Sequence, residues 1–173
     1  MRTFEPKFST MYKIRIILDT EEDVIRTILI NGGENLEQLH DFITKSFGFD
    51  GQEMASYFRT DEEWNQGEEI PLFDMSDSNT GITMKRLNIQ ETLVSPGDRL
   101  IYVYDFMNMW AFFIELIEIE PNLSDNDPKV ILSVGEVPST APDKVFTAEK
   151  TELDEEDEFD DFDEFDDFYG DNF

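Results

Sequence analysis

The chain has 173 residues, 41 of them acidic and 13 basic, for a formal charge of −28 at pH 7, and it contains no cysteine. Disulfides, thiolate metal sites and cysteine nucleophiles are thereby excluded. Direct nucleic-acid binding is disfavoured, because that affinity comes from lysine and arginine neutralising phosphates.

Residues up to Met11 include Arg2 and Lys7 but no apolar run of signal-peptide type. The most apolar stretch, residues 109–119, is interrupted by Glu115 and Glu118 and falls short of the roughly 20 residues of a membrane helix. The expected compartment is the cytoplasm. Residues 12–18 alternate Ile14, Ile16 and Leu18 with Lys13, Arg15 and Ile17, the period of a half-buried strand. A polar turn at 19–23 leads into β-branched residues 24–30, so the two runs read as an antiparallel hairpin.

Asn31-Gly32-Gly33 ends that strand, and Asn35 with Gln38 three positions on has the form of a capping box. Leu36, Leu39, Ile43 and Phe47 follow at helical spacing with Gly48 as the stop. Residues 54–59 read as a third strand. Residues 60–81, with Gly67, Pro71 and many acids, read as a long surface loop, and 87–93 as a short helix or turn. After the Ser95-Pro96-Gly97-Asp98 turn, residues 100–106 and 110–119 suggest the central hairpin of a sheet. Residues 121–128 read as loop and 129–134 as a last strand. The expected fold class is α+β: a mostly antiparallel sheet with a β-grasp-like opening and one main helix on a face.

Chemistry is sparse. His40 is the one histidine, and its place on the apolar side of the helix favours a structural role, bonded to a loop carbonyl or a carboxylate, over general-base work. Asp74, Ser76 and Ser78 alternate oxygens as a calcium loop does, but Asn79 and Lys85 stand where that loop needs glycine and glutamate. Asp105 and Glu115 lie on adjacent predicted strands and are a candidate carboxylate pair. No residue is assigned to catalysis, to a cofactor or to a metal. Met107, Met109 and Trp110 form an apolar turn, which either folds onto the core or meets a partner.

Residues 151–173 hold 13 acidic and no basic side chains, leaving 28 acidic and 13 basic residues, a net of −15, in the rest. Such a tail is expected to be disordered, which divides the chain into a domain at 1–145 and a tail at 146–173. Phe159, Phe162, Phe165 and Phe168 recur every third residue. That spacing makes one stripe on a polyproline-II strand but spreads over half the circumference of an α-helix. An extended tail could thus present phenylalanines to pockets and carboxylates to lysine or arginine.

Three runs carry a resemblance. The first is Leu36-Glu37-Gln38-Leu39-His40-Asp41-Phe42-Ile43, continuing through Phe47-Gly48-Phe49-Asp50 to Tyr57-Phe58. The second is Gly97-Asp98, Leu100 and Tyr102-Val103-Tyr104-Asp105-Phe106. The third is Asp127-Pro128-Lys129-Val130 through Gly135-Glu136-Val137-Pro138. In this order and spacing, over residues 11–145, the chain resembles the plasmid pRiA4b ORF-3-like family. It departs at Met107-Asn108-Met109, where the family has Gly-Asp-Asp, and at Met54-Ala55, where it has His-Leu. The resemblance implies a fold and an association with plasmids and transposable elements, not an activity.

The expected function is a noncatalytic interaction protein whose acidic, aromatic tail engages a basic protein partner. The alternatives are an enzyme or accessory factor of a mobile element, or a small-ligand or metal sensor. The sequence leaves the oligomeric state open.

Overall fold

The computed structural model describes residues 9–76, 81–123 and 125–142. The chain divides into two units, Met1–Pro142 and Asp143–Phe173. The second, with the tail expected at 146–173 and its Phe159, Phe162, Phe165 and Phe168, lies outside the described residues.

Seven strands form one sheet: β1 (Ser9–Leu18), β2 (Val24–Asn31), β3 (Ala55–Thr60), β4 (Gln66–Pro71), β5 (Arg99–Tyr104), β6 (Trp110–Leu123) and β7 (Lys129–Val134). Their order is β4-β3-β5-β6-β1-β2-β7, and every neighbouring pair is antiparallel. The β1–β2 and β5–β6 hairpins are as expected, with β5 and β6 in the middle of the sheet. Helix α1 (Leu36–Phe47) begins at the Asn35–Gln38 capping box and ends at Gly48, whose φ of 79° is left-handed. Glycine takes that conformation without the Cβ penalty other residues meet. A short helix α2 (Ile89–Thr92) follows a 3-10 turn at Met84–Arg86.

Period two decides what is buried. Ile14 pairs with Ile28 and Leu116, and Ile16 with Ile114, so alternate residues of neighbouring strands share a face. Those residues join Leu36, Leu39, Ile43 and Phe47 of α1 in one core cluster. Burying each of these large side chains stabilises the fold by about 1.5–3 kcal/mol. Among the described residues no helix is long and apolar enough to cross a membrane.

Two readings need correction. The loop expected over 60–81 contains a strand, β4, which pairs with β3 and buries Ile70. The strand expected to stop at residue 119 runs through Pro121 to Leu123. Pro121 fits because the β1–β6 register shifts there, and a bulge relieves proline of a ladder bond.

Candidate functional site

His40 is 2% exposed, and its Nδ1 lies 2.5 Å from Tyr102 Oη. Its partner is therefore a phenol, not the carbonyl or carboxylate expected. Burial holds the Tyr102 phenol well above its usual range, so it stays protonated, and the imidazole tautomer sets which of the two groups donates. Nε2 lies 4.0 Å from Asp41 Oδ1, outside hydrogen-bond range. A histidine so enclosed cannot reach a substrate in this conformation.

The same burial lowers the His40 pKa, with Asp41 and Glu37 opposing weakly. The folded state then binds fewer protons than the unfolded state once pH drops below 6.5, the ordinary value. Stability from the neutral imidazole is complete above that pH and is lost as pH falls toward the lowered folded value. The stability of the wild type, followed by its melting temperature, is expected to drop between about pH 7 and about pH 5 relative to His40→Gln, the free-energy slope being no more than about 1.4 kcal/mol per pH unit. Parallel profiles for the two proteins would contradict this.

Asp105 and Glu115 do not form a pair. Glu115 aligns with Arg99 at one end of the β5–β6 hairpin, and Asp105 sits beyond Tyr104 at the other. The Asp105 carboxylate instead builds the turn, accepting from Met107 N (3.1 Å) and Asn108 Nδ2 (2.6 Å). Asp105 and Met109 both have positive φ. The turn lifts Met107 to 92% exposure, leaves Met109 half-buried and sends Trp110 inward. The apolar turn thus splits between solvent and core.

Asp74, the first residue of the calcium-like run, is hydrogen-bonded to Ser76 and Gly81. Asp74 Oδ1 accepts from Ser76 N and Oγ, and Oδ2 from Gly81 N. These bonds, the Ser76 hydroxyl first, lower the Asp74 pKa. Ser78 lies outside the described residues, and among those residues no three metal-ligating side chains converge.

A cleft of about 400 Å³ opens beside Arg59, Asp61, Asp98 and Arg99. Most of its charged groups are engaged with the fold, while Arg99 Nε is buried without a hydrogen-bond partner. Arg59 Nε pairs with Glu68 at 3.3 Å. The Arg99 guanidinium lies over the Trp64 ring at 4.8 Å and donates to the Glu62 carbonyl. Asp98 accepts from Val94 N and Ser95 N. Nothing there activates a nucleophile.

The two edges of the sheet differ sharply. β4 carries Glu68, Glu69 and Pro71, the charges and proline that keep an edge from pairing with another chain. β7 carries Val130, Ile131, Leu132 and Val134, each between 39% and 51% exposed. Its far end is anchored by Arg26, 9% exposed, which donates to the carbonyls of Val134 (2.8 Å), Gly135, Ile25 and Ser46. Arg26 also lies over the Phe47 ring at 5.1 Å. The sequence signal for Arg26 was available: it is the one charged residue among the core-facing positions of its strand.

Two of the runs that carry the resemblance meet in space. Phe49 packs on Trp110 (4.9 Å between centroids) and Tyr104 (5.1 Å), and Tyr104 Oη donates to Asp50 at 2.8 Å. These motifs form a packing signature between the end of α1 and the β5–β6 hairpin.

A family model described as "Plasmid pRiA4b ORF-3-like protein" matches residues 10–160. No curated protein matches. Among solved structures, a protein of unknown function from Methanosarcina mazei Go1 is similar in fold, with a TM-score of 0.60 at 15% identity, over 75% of this chain and 72% of that one.

Proposed function

The chain belongs to the plasmid pRiA4b ORF-3-like family, and from that premise we propose that it is a noncatalytic protein-interaction module whose partner is a basic protein. The observation that carries the reading is how the domain uses its cations. Lys13 is held by Glu118 and Glu120, Lys129 by Asp125, Arg59 by Glu68 and Arg26 by carbonyls. With 41 acidic residues against 13 basic ones, the field left facing solvent is negative, which attracts cationic partners and repels phosphate.

In this reading the tail supplies Phe159, Phe162, Phe165 and Phe168 among carboxylates, and Met107 supports it as an exposed apolar contact, with Met109 at the base of the turn. The partner would be a nucleic-acid-binding protein of a mobile element whose DNA surface the acidic tail imitates.

Affinity capture with the full chain and with residues 1–150, washed at low and high salt, tests this. A basic protein recovered only by the full chain and released by salt is the expected result. Recovery of the same partner by both baits, or salt-resistant recovery, would remove the tail from the proposal.

A further inference from the structure

β7 lies at the end of the sheet, paired to β2 on its inner side, and among the described residues nothing pairs with its outer side. An open edge offers a row of unpaired N–H and C=O groups to any extended chain. Proteins usually protect such an edge, and the opposite edge of this same sheet is protected by Glu68, Glu69 and Pro71. From Val130 to Val134 β7 has no charge and no proline. Lys129, the one flanking cation, is taken by Asp125 at 2.9 Å.

We infer that the outer edge of β7 is a docking edge for an extended, lysine- or arginine-bearing segment of a partner protein, which adds to the sheet as an eighth strand. The inference rests on the interaction-module reading above and gives that partner a place. Strand addition takes its affinity from main-chain hydrogen bonds and its specificity from alternate side chains. Here the alternate contacts would be the half-exposed aliphatic groups of β7.

Charge selects the occupant. Asp127 precedes the strand and Glu136 follows it, both exposed, beside the mutually neutralising Asp125–Lys129 pair. Arg26 is buried and carbonyl-bound. The rim is therefore acidic at both ends. A second copy of the chain would bring its own negative domain against that rim, and so would the acidic segment at 151–173. A cationic strand meets no such repulsion.

The test uses the full chain and a synthetic peptide alternating valine with lysine, followed by fluorescence anisotropy and by amide hydrogen exchange. Two control peptides carry glutamate for lysine, or N-methyl groups at alternate amides. The expected result is slowed exchange in β7 with β4 unchanged, weakening by added salt, and no binding of the glutamate peptide. Both the N-methylated peptide and the Leu132→Lys variant should weaken binding at least about tenfold, the variant retaining its circular dichroism.

Protection of the outward-facing β7 amides in the free chain, beyond those already bonded to β2, would overturn the inference. Light scattering would then assign the edge to a second copy if the chain is a dimer, or to the chain's own termini if it is a monomer. Equal affinity for the N-methylated peptide, or protection of β4 instead, would also overturn it. If the peptide fails while salt-sensitive, tail-dependent capture persists, this inference falls alone; if both fail, the interaction-module reading falls with it.

Discussion

Replacing Arg26 by leucine is expected to destabilise the domain by about 3–5 kcal/mol and to free β7 before the rest of the sheet unfolds. The guanidinium is 9% exposed and joins three elements through carbonyls: Ile25 of β2, Val134 of β7 with the adjacent Gly135, and Ser46 of α1. Hydrogen bonds from a charged donor contribute about 1.5–3 kcal/mol each and are not additive, so losing several at once sets this range. Leucine keeps contact with Phe47 but leaves those acceptors without their donor. Arg26→Lys retains the charge but not the fork of donors, and should fall between leucine and wild type. Urea unfolding gives the magnitude, and amide exchange shows whether β7 opens first. A cost below about 1 kcal/mol for Arg26→Leu would mean that water replaces the guanidinium without loss, and that β7 is held by its ladder alone.

That β7 needs such an anchor follows from its position. It has one neighbour, and its side chains stay at least 39% exposed at the four large apolar positions. Hydrophobic burial therefore contributes less here than in β1 or β6, whose alternate residues are fully covered. An edge strand held at one end by a buried cation keeps its outer side available.

Much of the fold was legible where a single segment contains its own cause. The Asn35–Gln38 capping box, the Gly48 stop, the period-two run of β1 and the β-branched run of β2 are local, and each stands as read. β7 spans the six residues expected of it. The misses have non-local causes. β4 has one neighbour and buries Ile70 alone among its apolar positions, so its acids and Gly67 carry no alternating signal. His40 was placed correctly on the buried side, but Tyr102, 62 residues away, enters its environment only through the β5 register.

The candidate docking edge was the least legible feature. The run Val130-Ile131-Leu132-Ser133-Val134 reads as a strand but not as an edge, because apolarity reports a preference for burial and not its fulfilment. Whether a strand is central or at an edge is a property of strand order, and the sequence of one strand does not contain it. The same limit applies to Met107, where the outcome depended on the Asp105 carboxylate closing the turn.

Neighbouring phenylalanines on β6 give the sharpest test of strand register. Phe112 is fully buried, with its ring 4.8 Å from Phe47, 5.4 Å from Tyr102 and 6.1 Å from Phe49. Phe113 points to the other face, half-buried, and touches Trp64 at 5.0 Å. Phe112→Ala is expected to cost about 3–5 kcal/mol, since it removes a large side chain and leaves a cavity that the surrounding rings and strands cannot fill. Phe112→Leu, which keeps most of the volume, should cost about 1.5 kcal/mol or less if the rings repack. Phe113→Ala loses a partly exposed ring and opens no enclosed cavity, so its cost should stay well below that of Phe112→Ala. A slip of one residue in β6 would exchange the two positions between faces. Equal denaturant midpoints for the two alanine variants, or the reverse order, would place β6 in the wrong register. Such a result would also undo the alignment of Phe49, Tyr104 and Trp110 that joins two of the runs carrying the family resemblance.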